Sequence, residues 1–522
     1  MPMHSPCAPP VPRGCTTSDA GLMQRPLLVS VFIVASCGLA YELIAGALAS
    51  YLLGDSVMQF STVIGVYLFA MGIGSWLSKH VEGNLLVRFI QIELLVGLLG
   101  GLSAGLLFLL FTLHSGPFRF ALYGLVLLIG ILVGLEIPLI MRILKREVAF
   151  KDLVAQVLSF DYVGALAVSV LFPLLLAPHL GLVRSALLFG LLNALVAAWA
   201  LWLFRAQTGA LPGLRAQCAA VIGLLVLGFG FAGAFVSMAE ANLYSEDIVH
   251  AESSPYQRIV VTRWRDELRL YLNHNLQFSS RDEYRYHEAL VHPGLAALPG
   301  ARRVLVLGGG DGMAVREILK YPQVDSITLV DLDPRMTELF SQSPMLSALN
   351  DAALSSPKVK VINGDALQWL EENREMFDFV VADFPDPSNH SLGKLYSTAF
   401  YRLLKHHVAE TGMVVIQATS PMYARESFWI VVATLEAAGW QTAPYHALVP
   451  SFGEWGYILA GRREYRPPAA IPVATRFITV DSLPALFHFP PDMARLAAEP
   501  NRLDNQSLVR VFEREWGRLQ TH

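Results

Sequence analysis

Four aspartate residues in the second half of the chain each follow a short apolar segment. They are Asp311, Asp331, Asp365 and Asp383, and Asp386 comes three residues after the last of them. Carboxylates at the ends of buried strands can accept hydrogen bonds from ribose hydroxyls, from the amino group of a base or from an ammonium group, and they can take up a proton. Aspartate also caps helices, which would account for one or two of these positions. Its repetition after four successive segments favours a ligand-binding role.

The first aspartate interrupts a glycine loop, GGGDG at residues 308–312. Glycines let the backbone approach a ligand closely, and such loops commonly bind nucleotide phosphates. Asp311 would repel a pyrophosphate, and equally the carboxylate of S-adenosylmethionine, so both ligands are disfavoured. Decarboxylated S-adenosylmethionine ends in an ammonium group instead, which Asp311 would attract. Asp331 lies 20 residues after Asp311, the spacing of an acid that binds a ribose diol.

Two sequence patterns alternate around these aspartates. Apolar segments (RVLVLG, SITLVD, KVKVIN, FDFVVAD and GMVVIQA) alternate with amphipathic ones such as FYRLLKHHV. The alternation predicts a parallel sheet with helices on both faces, a doubly wound, Rossmann-like (methyltransferase-type) α/β domain, over residues 301–461. Two late segments, TAPYHALV and WGYILAG, predict a hairpin at one edge. Because ligands bind at the carboxyl ends of parallel strands, the aspartates are expected at one edge of the sheet.

Three other regions of the chain have different patterns. Segments such as QRIVVTRW predict a small β-strand subdomain over residues 243–300. Residues 462–522 are expected to form a C-terminal tail with a final helix. Residues 1–26 open with a Pro-rich stretch and are predicted to be a disordered tail.

The first half of the chain is strongly apolar. Hydrophobic residues make up 54% of the chain and charged residues 16%, and most of the charged residues lie after about residue 240. A helix needs about 20 apolar residues to cross a bilayer, so residues 27–238 predict a transmembrane helical bundle of about seven spans. The expected spans are 27–50, 57–77, 88–113, 118–141, 157–178, 182–205 and 216–238.

The charges of the loops and the nature of the expected ligand place the C-terminal domain on opposite sides of the membrane. Lys and Arg concentrate in alternate loops, most of all at residues 142–151, which places the N-terminus inside; seven spans would then place the C-terminal domain outside. The expected nucleoside is a cytosolic metabolite, so either the span count is wrong by one or the charge rule fails. We expect a multi-pass protein of the cell (inner) membrane with a cytoplasmic catalytic domain.

Acidic residues within or near the spans allow two interpretations. Acids inside a membrane are costly and often functional. These residues would either form hydrogen bonds between helices and at the interface, or form a path or site for cationic amines. They are Glu42, Glu93, Glu136 and Asp161.

Charge and cysteine content restrict the partners. The net charge of −4 and the lack of a long basic run argue against nucleic acid. The four cysteines, Cys7, Cys15, Cys37 and Cys218, all precede the C-terminal half, so the sequence predicts no disulfide framework or metal cluster there.

Several motifs, in this order, resemble the spermidine synthase family, the polyamine aminopropyltransferases. The resemblance covers roughly residues 244–461, and the apolar half resembles a bacterial membrane-bound subgroup with a multi-span N-terminal extension. The motifs are Tyr256-Gln257, RDEYRYHE (281–288), GGGDG with Arg316-Glu317, VDLDP (330–334), NGDA (363–366) and DFPDP (383–387).

The resemblance implies a role for each candidate residue. Asp383 would accept the proton of the attacking amine, with Asp386 as its partner, and His287 and Asp311 would lie around the aminopropyl group and the polyamine. Decarboxylated S-adenosylmethionine would be the co-substrate, with no tightly bound cofactor or metal, and dimers or tetramers are implied. The methylthioadenosine part would be held by Gln257, Asp331, Asp365, Ala366, Gly308 and Gly310.

Departures from the family pattern leave the acceptor open. The loop after Asp383 reads DFPDP, and Phe452 stands about where a Tyr that contacts the diamine is often found. Putrescine is the default acceptor, giving spermidine and methylthioadenosine; spermidine, agmatine, cadaverine or a longer amine stay possible. Two other functions are also open: an S-adenosylmethionine-dependent methyltransferase, and a membrane transporter or sensor of polyamines with a non-catalytic binding domain.

Overall fold

The computed structural model describes residues 17–53, 56–112, 118–144, 150–205, 211–244 and 246–519. Contacts divide the chain into two compact units, residues 1–243 and 244–522. The predicted disordered tail lies outside the described residues up to residue 16. The first helix begins at Thr17, ahead of the predicted first span.

The described part of the first unit consists of helices and short connections between them. Its helices are apolar on all sides, as expected for segments surrounded by other helices or by lipid. They are α1 (Thr17–Leu53), α2 (Ser56–Leu77), α3 (Leu85–Thr112), α4 (Phe118–Leu144), α5 (Phe150–Leu171), α6 (Ala177–Leu203) and α7 (Pro212–Leu243).

Six helical stretches among the described residues are long and apolar enough to cross a membrane, judged by length and composition alone. The sequence predicted about seven spans. The structure has one fewer because the stretch Asp152–Leu203 includes most of two predicted spans. A π-helical turn, Phe172–Leu176, joins α5 to α6 without a loop. The backbone leaves helical geometry only at Gly181, where φ is 73° and ψ is 173°, a conformation open to glycine. The break therefore lies between the two predicted spans.

The second unit begins with an antiparallel sheet in the order β1-β2-β3-β4. A helix, α8 (Glu283–Leu295), follows within the region predicted as a small β-strand subdomain, and its apolar residues pack into the core of the large sheet. The four strands are β1 (Asp247–Ser253), β2 (Arg258–Trp264), β3 (Glu267–Leu272) and β4 (Asn275–Ser279).

The large sheet has seven strands in the order β10-β11-β9-β8-β5-β6-β7. Strands β5 to β9 are parallel, and β10 and β11 form an antiparallel hairpin at one edge. The Rossmann-like mixed sheet and its edge hairpin are thus confirmed. Its strands are β5 (Arg303–Gly308), β6 (Ser326–Asp331), β7 (Val359–Asn363), β8 (Phe377–Asp383), β9 (Val408–Gln417), β10 (Gln441–Val449) and β11 (Gly453–Gly461).

Helices and loops cover both faces of the large sheet. Alternate residues of β5 belong to different cores: Val304 and Val306 pack on one face, and Leu305 and Leu307 on the other. The helices after α8 are α9 (Met313–Leu319), α10 (Pro334–Gln342), α11 (Pro344–Ser347), α12 (Ala366–Glu372), α13 (His390–Gly393), α14 (Thr398–Lys405), α15 (Arg425–Ala437), α16 (Leu483–Leu486) and α17 (Ser507–Leu519).

Candidate active site

The carboxyl ends of β5 and β8 lie side by side in the centre of the sheet. Gly308 pairs with Asp383 across the two strands, and a methyl group at Gly308 would collide with the carbonyl oxygen of Asp383. Gly308 and Gly309 have φ values of 79° and 64°, which favour glycine. The glycine loop therefore runs directly over the end of β8.

Asp383 receives a hydrogen bond from Tyr286 of α8, with 2.6 Å between the hydroxyl oxygen and Oδ1. Burial raises the pKa of Asp383 to about 6; the charge of His287 and the Tyr286 hydrogen bond oppose this rise, and the charge of Asp311 adds to it. Such a carboxylate is mostly ionised at neutral pH but is basic enough to take up a proton.

His287 is buried and held by Glu283, one turn earlier in α8. Its Nδ1 lies 2.8 Å from Oε2 of Glu283 and 2.9 Å from the Glu283 carbonyl oxygen. Although burial disfavours the charged imidazole, the hydrogen bond and charge of Glu283 raise the pKa of His287 above its ordinary value. Arg316 of α9 forms a two-pronged ion pair with Glu283, at 3.0 and 2.9 Å. The pair fixes Glu283, and Glu283 in turn orients the imidazole.

Asp311 is half-buried beside His287. Its Oδ1 accepts a hydrogen bond of 2.9 Å from the backbone N–H of Met313. Burial raises the pKa of Asp311, while the charge of His287 and the backbone hydrogen bond favour its ionised form. His287 interacts electrostatically with both Asp311 and Asp383, and the charge of Asp311 also raises the pKa of Asp383. The three groups therefore form one electrostatic cluster.

Asp331, at the end of β6, holds the glycine loop in place. Its carboxylate accepts backbone N–H groups from Gly310, at 3.0 Å, and from Asp333, at 2.9 Å. Burial raises the pKa of Asp331 to about 6, against the effect of the two hydrogen bonds. A methyl group on Gly310 would lie 2.7 Å from Oδ2 of Asp331, so the contact requires glycine.

Gln257 is held at this edge of the sheet by a hydrogen bond to Asp333, a residue that was not predicted from the sequence. Its side-chain nitrogen donates to Oδ2 of Asp333 at 2.9 Å, and the Ser254 hydroxyl donates to the same oxygen at 2.7 Å. The signal was present in the VDLDP motif, where Asp333 precedes Pro334 and also caps α10.

Asp365 has two structural partners. Its Oδ1 caps α12 by accepting from the backbone N–H groups of Leu367 and Gln368, and its Oδ2 lies 2.6 Å from the ammonium of Lys394. Burial opposes ionisation, but the Lys394 hydrogen bond and the capping bonds lower the pKa of Asp365 below its ordinary value. Ala366 is buried at the first position of the helix. Capping thus explains one of the four aspartates, as the alternative interpretation allowed.

Asp386 contacts the end of β9. Its oxygens accept hydrogen bonds from the side chains of Gln417 and Thr419, both at 3.3 Å, and burial raises its pKa to about 6. Gln417 was not predicted; its amide also donates to the carbonyl oxygen of Phe384 at 2.6 Å, which fixes the loop after β8. The only feature of the sequence that could have indicated Gln417 is its position at the end of a strand.

Acidic groups at this edge differ in whether a cation neutralises them. Glu283 and Asp365 pair with Arg316 and Lys394. Asp311, Asp383 and Asp386 form no ion pair with Lys or Arg in the part of the chain that the structure describes. Those three carboxylates are therefore available to a cationic ligand.

The chain matches known proteins over most of its length. A family model described as the spermine/spermidine synthase domain matches residues 283–467. The polyamine aminopropyltransferase 2 of Ralstonia nicotianae is 63% identical, over 94% of this chain and 98% of that protein. The polyamine aminopropyltransferase of Leptospira interrogans is 53% identical, over 95% of this chain and 100% of that protein. The chain belongs to the polyamine aminopropyltransferase family. A solved spermidine synthase in complex with the transition state analogue AdoDATO has a TM-score of 0.44 and 21% identity, over 47% of this chain and 86% of that chain.

Family membership confirms the resemblance that the motifs indicated. The protein is an aminopropyltransferase enzyme, which decides among the functions that the sequence left open. Because the relatives match over nearly their whole length, the apolar first half is shared with them and is not peculiar to this chain.

The structure of this aminopropyltransferase separates the predicted residues into three groups. Asp383, His287 and Asp311 form the electrostatic cluster, and Asp386 lies at the neighbouring strand end. Gly308, Gly310 and Asp331 build the glycine loop and its support. Gln257, with Asp333, and Asp365, with Ala366, occupy separate strand ends, and nothing in their contacts tests their predicted nucleoside role.

Proposed function

We propose that this aminopropyltransferase transfers the aminopropyl group of decarboxylated S-adenosylmethionine to putrescine, giving spermidine and methylthioadenosine. The observation that carries the proposal is a set of half-buried carboxylates that form no ion pair with Lys or Arg among the described residues: Asp311, Asp383 and Asp386. Both substrates are cations, and unpaired carboxylates in a partly desolvated pocket attract ammonium groups strongly. A carboxylate-bearing methionine tail would meet repulsion in the same place.

The donor is assigned to the glycine loop and the strand ends beside it. Asp311 takes the ammonium of the aminopropyl arm, and Asp331 supports the loop and faces the ribose. Gln257 and Asp365, with Ala366, complete the methylthioadenosine site. Gly308 and Gly310 supply the bare backbone against which the nucleoside packs.

Asp383 serves as the proton acceptor in the proposed reaction. The amine nitrogen attacks the propyl carbon bound to the sulfonium; the new C–N bond forms as the C–S bond breaks, and the electron pair of that bond stays on sulfur. Methylthioadenosine leaves as a neutral thioether. Before the attack, Asp383 takes one proton from the terminal ammonium of the diamine, which frees the electron pair of that nitrogen. Its pKa of about 6 suits this task near neutral pH.

Putrescine is assigned as the acceptor because aromatic side chains lie beside the acidic groups, with Tyr286 bonded to Asp383. Asp383 takes a proton from the amine group that attacks, and Asp386 adds negative charge that attracts the amine. The Phe452 ring lies 6.2 Å from the ring of Tyr286 and 5.3 Å from that of Trp455, a set of aromatic groups against which a short methylene chain can pack.

The helical unit is proposed to anchor the enzyme in the cell membrane with the catalytic unit in the cytoplasm, where its substrates are made. Six apolar stretches of sufficient length support this placement. In the proposal, the enzyme works as a homo-oligomer in contact with the lipid bilayer.

An assay of the purified full chain tests the reaction. Decarboxylated S-adenosylmethionine and putrescine should give methylthioadenosine and spermidine in equal amounts, and Asp383→Asn should abolish turnover while it spares donor binding. Asp351→Asn, at an exposed residue, is the matched control and should behave as the wild type. If another amine gives product and putrescine does not, the assignment of putrescine as the acceptor is wrong. Equal turnover in Asp383→Asn would remove Asp383 from its role.

A further inference from the structure

The helical unit contains an acidic cluster that the transfer reaction does not use. Glu93 of α3 and Glu136 of α4 are 0% and 1% exposed, and they interact electrostatically with each other. Both carboxylate oxygens of Glu93 and one of Glu136 have no hydrogen-bond partner among the described residues. Buried carboxylates are normally paired or bind a ligand, because an isolated buried charge is costly.

Two more polar side chains are buried near this pair without partners. The hydroxyl of Tyr41, on α1, and both side-chain polar atoms of Asn193, on α6, lack hydrogen bonds within the described part of the chain. Tyr41 is 2% exposed and Asn193 is 0% exposed. Tyr41 interacts electrostatically with both glutamates. Buried polar groups are almost always satisfied, so several unsatisfied groups together indicate an absent partner.

Helix α3 brings Glu93 to the same face as Tyr41 and Asn193. Glu93, Gly97 and Gly100 are spaced by four and three residues, so they share one face of the helix. A methyl group at Gly100 would collide with the ring of Tyr41. A methyl group at Gly97 would lie 3.3 Å from Cβ of Asn193. The two glycines thus let α1 and α6 approach α3 within two turns of Glu93.

Helix α4 brings Glu136 towards the same face of α1. A methyl group at Gly38 would lie 2.9 Å from Cγ1 of Val133, so Val133 packs directly on α1. Glu136 and Tyr41 each follow these contact residues by three positions, which keeps them on the facing sides of the two helices.

Helices α1 and α6 also meet beside the cluster. The Cys37 thiol donates to the carbonyl oxygen of Phe189 at 3.5 Å. Tyr41 and Asn193 each lie four residues, or one helical turn, from these contact residues, and both pack on α3, at Gly100 and at Gly97. The four unpartnered side chains are therefore contributed by four helices to one region of the bundle.

We propose that Glu93, Glu136, Tyr41 and Asn193 form a second binding site, which takes the ammonium group of an amine. An ammonium has three N–H donors, and the glutamate oxygens and the Asn193 carbonyl are acceptors without donors. The amide N–H groups of Asn193 can satisfy a further carboxylate oxygen. One positive charge and one retained proton neutralise both carboxylates. Amines are the substrate class of this family, so such a ligand is present wherever the enzyme works; the site does not depend on which amine accepts the aminopropyl group.

Binding stoichiometry tests the second site. Radiolabelled putrescine is titrated onto the purified full chain in detergent, and the same preparations are assayed for aminopropyl transfer. We expect about one more bound putrescine per chain in the wild type than in Glu93→Gln/Glu136→Gln, with transfer at saturating substrates unchanged. Asp152→Asn, an exposed acid at the start of α5, is the matched control and should keep the wild-type stoichiometry. Equal stoichiometry in the double variant and the wild type would overturn the proposal.

Two further single variants test the site independently, in case the double variant misfolds. Tyr41→Phe and Asn193→Leu remove unpartnered groups without a change of charge and should each weaken the additional site by about tenfold. Unchanged affinity in both would refute the site. An infrared carboxylic-acid band that is lost in Glu93→Gln/Glu136→Gln and does not respond to putrescine would mean that the pair binds protons only. If the wild type shows no transfer, the proposed function fails, yet the difference in stoichiometry still decides the second site.

Discussion

Removal of one hydroxyl group should shift the pH dependence of the aminopropyltransferase. In Tyr286→Phe, Asp383 loses the hydrogen bond of 2.6 Å that favours its ionised form. A hydrogen bond to a charged group contributes about 1.5–3 kcal/mol, which corresponds to a rise of about 1–2 units in pKa. Since the pKa of Asp383 starts at about 6, it would reach about 7–8 in the variant. The ionised fraction at pH 7 would fall from about nine-tenths to between about a half and a tenth.

The assay is the rate of methylthioadenosine release, measured as kcat/KM for the amine from pH 5 to about 9. The acidic limb should move upward by about 1–2 units, while the rate on the alkaline side of the new limb stays close to that of the wild type. Tyr396→Phe is the matched control, because the Tyr396 hydroxyl donates only to the carbonyl oxygens of Phe384 and Pro385 among the described residues. Tyr396→Phe should lower the rate uniformly with pH or leave it unchanged. An acidic limb that stays in place in Tyr286→Phe would mean that ionisation of Asp383 does not limit the reaction.

Three further variants test the supports of the site. Glu283→Gln removes the charge that raises the pKa of His287, so the imidazole should become neutral near pH 7 and the acidic limb of the rate profile should rise. Gly310→Ala should raise KM for the donor about tenfold or more with kcat less affected, because the methyl group displaces the loop; Gly364→Ala, where a methyl group meets nothing within 4 Å, should keep the wild-type KM. Hydrogen bonds from neighbouring basic groups hold the pKa of buried Glu317 at about 2 despite its burial, so its stabilisation is full above about pH 4.5 and is lost as pH falls towards 2. Glu317→Gln should therefore lower the free energy of unfolding at pH 7 by about 3 kcal/mol or more and flatten its decline in acid, as measured by thermal unfolding between pH 2 and 7.

The sheet and the positions of the aspartates could be predicted because both depend on local pattern. Each parallel strand is a mostly apolar run of five to ten residues that ends at a glycine or a polar residue, and parallel topology then places those residues at one edge. Gly308 and Asp383 were therefore expected close together, although 75 residues separate them in the sequence.

Side-chain pairing could not be predicted in the same way. The bond from Tyr286 to Asp383 spans 97 residues and that from Gln257 to Asp333 spans 76, and neither leaves a trace in periodicity or composition. The pairing of Asp365 with Lys394 likewise leaves no trace in the sequence. Only tertiary packing decides which carboxylate a cation neutralises.

The count of helical stretches differed for a related reason. Hydropathy shows where a segment is apolar, but it does not show whether backbone hydrogen bonds continue through a turn. The predicted spans 157–178 and 182–205 left a break between them, and the backbone departs from helical geometry at Gly181, yet the helical hydrogen bonding runs through this region.

The partners of the two acids in the DFPDP loop give them different places in the proposed reaction. Both have a pKa of about 6, so acidity alone does not distinguish them. Asp386 accepts a side-chain hydrogen bond on each oxygen, from Gln417 and Thr419, and these bonds favour its ionised form. Asp383 accepts only at Oδ1, and its Oδ2 receives no hydrogen bond from the described residues. Asp383 thus has an oxygen without a protein hydrogen bond that can take a proton from the amine, which supports the proposed roles of Asp383 as proton acceptor and of Asp386 as the group that attracts the amine by its charge.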